Sequence, residues 1–197
     1  MTNISVEDRH AAAGTGTGAT ATALPRSSAG ARRHLRLRDG RMVVVRPIRA
    51  GDGERLRAFD GALSETSRRR RYLGWMPPLS EERANAMATV DGVRRIALVA
   101  TVREGDEERI VADCRLVPTG AERDAEVALA VAEDYRNVGL GSALLRRLLA
   151  GAGGGYETAV ALVRYDNETM MHVLRTLGFR RTAWELGVVT FTRSLHV

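Results

Sequence analysis

The stretch from Glu126 to Phe179 leaves this chain few folds to choose from. It opens with an alternating apolar run, Glu126-Val-Ala-Leu-Ala-Val-Ala132, and turns at Arg136-Asn-Val-Gly139-Leu-Gly141. An amphipathic segment follows, Ser142-Ala-Leu-Leu-Arg-Arg-Leu-Leu149, then a second apolar run, Thr158-Ala-Val-Ala-Leu-Val163, and a second helical segment from Asn167 to Leu177. The switch of period from two to 3.6 and back predicts a β-turn-α-β-α unit. Leu140, Leu144, Leu145, Leu148 and Leu149 fall on one helical face, and the glycine run 151–155 ends that helix with residues that accept left-handed backbone. Unbroken apolar character over 158–163 predicts a strand buried on both faces. Gly178 stops the second helix, with Met170, Met171, Leu174 and Leu177 expected inward.

A strand that opens through glycines into a helix presents several backbone N–H donors that have no intrahelical partner. The helix dipole reinforces them, so such a turn suits a pyrophosphate. Gly139 and Gly141 let phosphate oxygens approach without a Cβ in the way, Arg136 adds charge and Ser142 a hydroxyl. The turn is not a Walker loop, because the chain contains no lysine, and it is not a dinucleotide fingerprint, because Leu144 stands where a third glycine is needed.

The remainder reads as one domain over 32–197. Residues 1–31, with Ala11-Ala-Ala-Gly-Thr-Gly-Thr-Gly-Ala-Thr-Ala-Thr22, carry almost no large apolar side chains and are expected to be a disordered tail; their scarcity of acids after Asp8 leaves a transit peptide as the alternative. Asp39-Gly40 between two alternating runs predicts a two-residue hairpin leading into a core strand that ends near Pro47. Asp52 is an N-cap candidate for a helix over 54–63, Ser64 for one reaching Tyr72, and Ser80 for one reaching about Val90. Two strands joined by Glu104-Gly-Asp-Glu107 should pair antiparallel, and a closing hairpin is expected around Leu186-Gly187.

One cysteine, Cys114, excludes an internal disulfide and a multi-cysteine metal site, and it suits the reducing cytoplasm; the four histidines show no metal-ligand spacing, so no metal is expected. The longest apolar runs are far short of the roughly 20 residues of a membrane span. All 30 basic residues are arginine and the net charge is +6, which suits an anionic ligand or an acidic protein partner. Nucleic acid is disfavoured: aromatic residues are 5% of the chain and none sits in a stacking motif.

Arg136-x-x-Gly139-x-Gly141 after a strand, the leucine-rich helix, the buried strand, Asn167 and Leu177-Gly178-Phe179 together resemble the GNAT superfamily of N-acetyltransferases. The resemblance spans about residues 35–194. It implies an α/β fold of the α+β kind, a mixed, mostly antiparallel twisted sheet flanked by helices, whose splayed central strands hold coenzyme A. It implies acetyl-CoA as donor, its pyrophosphate on the backbone of Asn137, Val138, Gly139, Leu140, Gly141 and Ser142 with Arg136 beside them. Ala130 and Val131 would hold the pantetheine arm, with Asn167 on the same side.

Arg38-Asp-Gly40, Arg46-Pro-Ile48, Asp52 and Leu63-Ser-x-x-Ser67-x-x-x-Arg71-Tyr72 look like the catalytic domain of bacterial protein-lysine acetyltransferases that act on acyl-CoA synthetases. Many of those carry a further regulatory domain; the tail is too short for one, so such regulation would be absent or come from another chain. Glu126 matches the general base of protein-acetylating relatives. The position that supplies a tyrosine acid in many members, seven after Asn167, is Leu174, with Tyr165 as a substitute. Glu133 and Asp134 read as loop-capping carboxylates, and Asp113 as one half of a buried ion pair. The run 68–71 reads either as a solvated face or as an acceptor-side surface for acidic residues, with Arg71, Tyr72 and Trp75 along the acceptor channel and core packing as the alternative for Tyr72. Three functions follow: transfer of acetyl to protein lysines, transfer to a small-molecule amine, or a CoA-sensing or partner-binding protein without catalysis.

Overall fold

The computed structural model describes residues 32–195 apart from 122, 153 and 154, so the expected tail over 1–31 lies outside the described residues. The strands are β1 (Arg33–Arg36), β2 (Met42–Pro47), β3 (Ile96–Glu104), β4 (Glu107–Pro118), β5 (Asp124–Val131), β6 (Thr158–Arg164), β7 (Arg180–Glu185) and β8 (Val188–Ser194). The helices are α1 (Gly53–Ala62), α2 (Glu65–Tyr72), α3 (Glu81–Ala88), α4 (Leu140–Ala150) and α5 (Glu168–Thr176). One sheet runs β1-β2-β3-β4-β5-β6-β8-β7, and among the described residues only β5 and β6 pair in parallel. The mixed, mostly antiparallel sheet flanked by helices is the architecture the resemblance implied.

Both faces of the sheet are covered. On one, Leu140, Leu144, Leu145 and Leu148 of α4 and Leu174 of α5 join Leu98, Cys114, Leu116 and Val127 in a buried cluster. On the other, Leu56 and Phe59 of α1 and Ala84 and Ala88 of α3 meet Ala97, Val99 and Ile110. The alternation of Ala97, Leu98 and Val99 between the two clusters is the strand period at work. Each fully buried leucine contributes about 1.5–3 kcal/mol over its exposed state. Burial and the neighbouring Asp113 charge push the Cys114 thiol up, which makes it a core residue and not a nucleophile. No described helix is long and apolar enough to cross a membrane.

Ser64 and Ser80 cap α2 and α3 through the N–H groups of Ser67 and Arg83. Asp52 stands at the N-cap of α1 without making a cap bond; its carboxylate instead takes the Arg49 N–H at 2.8 Å and the Arg46 guanidinium. The Asp39-Gly40 turn also differs from expectation. The Leu37 N–H donates to Arg41 O at 2.8 Å and the Gly40 N–H to Leu37 O at 3.0 Å, so Arg38, Asp39 and Gly40 form a three-residue loop. Asp39 favours it by accepting the Arg41 N–H at 3.1 Å, and Gly40 closes it at φ +89°. At the closing hairpin, Leu186 and Gly187 have φ 48° and 78°, the two positive values of a type I′ turn.

Strand β6 is not buried on both faces. Ala159, Ala161 and Val163 are buried while Val160 and Leu162 are half-buried, because one edge of the strand opens onto a cleft. The arginine run is not a solvated face either, apart from Arg69. Arg68 donates to Met76 O at 2.6 Å, Arg70 to Asp166 O at 2.8 Å, and Arg71 lies 3.7 Å from Asp113, itself paired with Arg115 at 2.7 Å.

Candidate active site

The cleft is a consequence of strand pairing. β5 and β6 are joined at Asp124–Thr158, Ala125–Ala159 and Glu126–Val160, and there the parallel pairing ends. Beyond it β5 stays on β4 as far as Val131, and β6 stays on β8 as far as Arg164. Each arm follows its outer neighbour, the inner edges part, and a cleft of about 700 Å³ opens between them. Glu126 stands at the apex of this V, in the cleft wall and 9% exposed.

The glycine turn sits at the end of the β5 arm. Asn137 has φ 60° and Gly139 φ 89°, so left-handed residues alternate with ordinary ones and the backbone forms an anion-binding concavity. Asparagine and glycine are the residues that accept this conformation most readily. Helix α4 starts at Gly139 with no side-chain cap and no acid in its first turn. By contrast α2, α3 and α5 are capped by Ser64, Ser80 and Asn167. The donors at the start of α4 therefore face the cleft without a side-chain acceptor, which fits a phosphate ligand. A Cβ on Gly141 would come within 3.1 Å of Leu129 Cδ2, so glycine lets the first turn settle against β5.

A polar clamp fixes this loop to α2. Arg136 donates to Val131 O from Nε and Nη2, both at 3.1 Å, and from Nη2 to Ser67 Oγ at 2.7 Å and Glu133 Oε1 at 3.1 Å. Glu133 also accepts the Ser64 N–H at 3.2 Å, the Ser64 hydroxyl at 2.7 Å and the Ser67 hydroxyl at 2.5 Å. Burial raises the Glu133 pKa, but the bonds from Ser67 and Ser64 outweigh it and bring it down to about 2. The folded state thus holds Glu133 ionised where the unfolded chain, near 4.5, takes up a proton. Its contribution is complete above the unfolded value and is lost as pH falls through that window. Thermal melts of Glu133→Gln are expected to show lower stability than wild type at pH 6 and a shallower decline from about pH 4.5 to 2. Parallel declines would show that the clamp does not govern this window.

Ala130, Val131, Asn137, Leu140, Ser142 and Asn167 also line the cleft. Val138 does not; its carbonyl accepts the Arg38 N–H at 3.1 Å. Asn167 accepts the Met170 N–H as the cap of α5. Of the acceptor-side residues, Arg71 borders the cleft. Tyr72 is buried with its hydroxyl donating to Asp60 at 2.7 Å, and Trp75 is exposed. Leu174 is wholly buried, and Tyr165 lies outside the cleft, exposed and beside Gly187. The face that α5 turns to the cleft carries His172, Thr169 and Thr176. Sequence reasoning did not single out Arg38, Ser67 or Tyr135 as site residues, yet all three line the cleft, with Arg41 stacked 4.1 Å over the Tyr135 ring.

Residues 63–179 match the acetyltransferase (GNAT) family model. The acetyltransferase PA5475 of Pseudomonas aeruginosa is 33% identical over 144 residues, 73% of this chain and 77% of its own length. The acetyltransferase Pat of Mycolicibacterium smegmatis is 31% identical over 157 residues, 79% of this chain but only 46% of Pat. Among solved structures, the GNAT domain of S. lividans PAT superposes with a TM-score of 0.74 at 30% identity, covering 83% of this chain and 96% of that domain. A Salmonella typhimurium protein solved with its cofactor acetyl-CoA shares the fold at 15% identity and a TM-score of 0.61, over 79% of this chain and 95% of its own. With its splayed β5–β6 cleft and uncapped glycine turn, the chain belongs to the GNAT family of acetyltransferases, which use acetyl-CoA.

Proposed function

We propose that this acetyltransferase moves the acetyl group of acetyl-CoA directly onto lysine side chains of a protein acceptor, with an acyl-CoA synthetase as the acceptor class. The observation that carries the reading is Glu126, a carboxylate buried at the apex of the V. The likeness of Arg38-Asp-Gly40, Arg46-Pro-Ile48 and Leu63-Ser-x-x-Ser67-x-x-x-Arg71-Tyr72 to protein-lysine acetyltransferases supports the choice of protein lysine over other amines, and the relatives Pat and PAT match across that region's fold. The glycine turn from Asn137 to Ser142 would hold the pyrophosphate, and the parted edges of β5 and β6, with Ala130 and Val131, the pantetheine arm. Acetyl-CoA supplies an activated thioester.

Glu126 takes a proton from the incoming ammonium, and the neutral amine attacks the thioester carbonyl. The C–N bond forms, the C–S bond breaks and the thiolate leaves. With Leu174 in the core and Tyr165 outside the cleft, neither of those positions supplies the proton that the thiolate takes up on leaving. Incubation with labelled acetyl-CoA and an acyl-CoA synthetase is expected to label lysines of the synthetase. Label appearing only on small amines would replace this reading with the small-molecule one, and CoA binding without turnover would favour a sensor.

A further inference from the structure

We propose that Arg38, carried in on the β1–β2 loop, is a ligand of the coenzyme A pyrophosphate. This rests on the reading of the glycine turn as the pyrophosphate site. The loop is docked onto that turn, since the Arg38 N–H donates to Val138 O at 3.1 Å. The side chain then lies across Gly139: a Cβ there would stand 3.4 Å from Arg38 Nε and 3.7 Å from its Cδ and Cγ. Gly139 is the N-cap of α4, so the Arg38 side chain is brought to the point where the uncapped N–H donors converge.

The charges around the turn single Arg38 out. Arg136, the cation the sequence pattern offers, is tied to Val131 O, Ser67 and Glu133. Arg41, on the same loop as Arg38, is paired with Asp39, donates to Asp134 O and stacks on Tyr135. Arg38 lines the cleft, is exposed, and has no carboxylate partner among the described residues. Arg146 also lines the cleft, but it lies beyond Ser142 along α4, away from the cap. A guanidinium fork matches phosphate oxygens in two parallel hydrogen bonds, and at a helix N-terminus it adds full charge to aligned dipoles. The three-residue turn gives the arginine its place, because Gly40 at φ +89° bends the loop and the Arg41–Asp39 pair holds it.

The test is calorimetric titration of the protein with CoA and with dephospho-CoA, which keeps the pyrophosphate and lacks the 3′-phosphate. Arg38→Ala is expected to weaken both ligands by about tenfold, with Arg38→Lys falling between. Arg181→Ala, which removes the same charge from the exposed strand β7, is expected to leave both affinities unchanged, and melting temperatures confirm that each variant is folded. Unchanged affinity in Arg38→Ala, or an equal loss in Arg181→Ala, would overturn the assignment. A loss seen with CoA but not with dephospho-CoA would move the contact to the 3′-phosphate and overturn it as stated. Absence of CoA binding by the wild type would overturn the cofactor site itself, a result distinct from the failure of Arg38 alone.

Discussion

Glu126→Gln is expected to lower kcat/KM for acetyl transfer by ~10²–10⁴-fold near neutral pH, about 3–5 kcal/mol of barrier. The substitution keeps size and polarity at the apex of the β5–β6 cleft and replaces the basic oxygen with an N–H donor. Binding of acetyl-CoA should be unchanged, because the glycine turn proposed to hold the pyrophosphate lies at the far end of β5, past Val131. The pH dependence separates a base from a packing residue. Without Glu126 the reaction must wait for an acceptor lysine that has already lost its proton, and a free lysine does so near ~10.4. The variant's deficit should therefore shrink steadily as pH rises, whereas a packing defect would lower the rate equally at every pH. Rate profiles from about pH 6.5 to 9.5, the ordinary working range for such catalysis, measure this directly. A profile parallel to wild type would remove Glu126 from proton transfer.

The parts of this site that were legible in the sequence are those set by neighbours in the chain. Asn137, Gly139 and Gly141 announce a tight anion-binding turn because their backbone preferences are local. Period-two and 3.6-residue patterns locate β5, α4, β6 and α5 for the same reason. What the sequence hid depends on contacts between distant segments. Ser67 and Glu133 meet across 66 positions and Arg136 and Ser67 across 69, and no local pattern requires either bond. Hence Arg136 read as a phosphate cation, although its guanidinium is engaged in the clamp. The run 158–163 read as doubly buried because the wall of a cleft is apolar too, and hydropathy does not distinguish an absent strand neighbour from a packed one. Of the residues read on the acceptor side, Arg71 lines the cleft while lying 3.7 Å from Asp113, and Tyr72 takes its core alternative, with its hydroxyl on Asp60. The Asp39-Gly40 pair gave the right turn and the wrong length, since the Asp39–Arg41 bonds that select three residues involve a side chain outside the dipeptide.

Arg46→Met is expected to destabilise the protein by about 3–5 kcal/mol, the range for removing one partner of a buried ion cluster. That is a large share of the roughly 5–15 kcal/mol that holds a domain folded. Arg46 is 1% exposed and grips Asp52 in a fork of 2.6 and 2.8 Å, with Glu108 on its other edge at 3.1 Å from both Nε and Nη2. Burial alone would raise the Asp52 pKa, yet the bonds from Arg46 and the Arg49 N–H hold it below the ordinary value. For Glu108 the Arg46 bond is the largest effect and acts in the same direction. Deleting the guanidinium leaves the buried Asp52 carboxylate and the half-buried Glu108 carboxylate without their shared partner, with only Arg49 N–H, Thr101 and the distant edge of Arg55 to compensate them. In the variant both acids lose the bonds that chiefly favoured their ionised forms. Their folded pKa values are then depressed less than in the wild type, so the variant loses less stability than the wild type as pH falls. The gap between the two melting temperatures should consequently be widest near pH 7 and narrow toward pH 4. Replacing the whole cluster, as Arg46→Met with Asp52→Asn and Glu108→Gln, should recover much of the loss, because no buried charge remains unpaired. The same cluster ties β2 to the start of α1 and to the β3–β4 hairpin, and α1 leads directly into α2, which carries Ser67 to Arg136 beside the glycine turn. Arg46→Met should therefore also weaken CoA binding at temperatures just below its melting point, and affinity that stays at the wild-type value until global unfolding would show the two regions to be uncoupled.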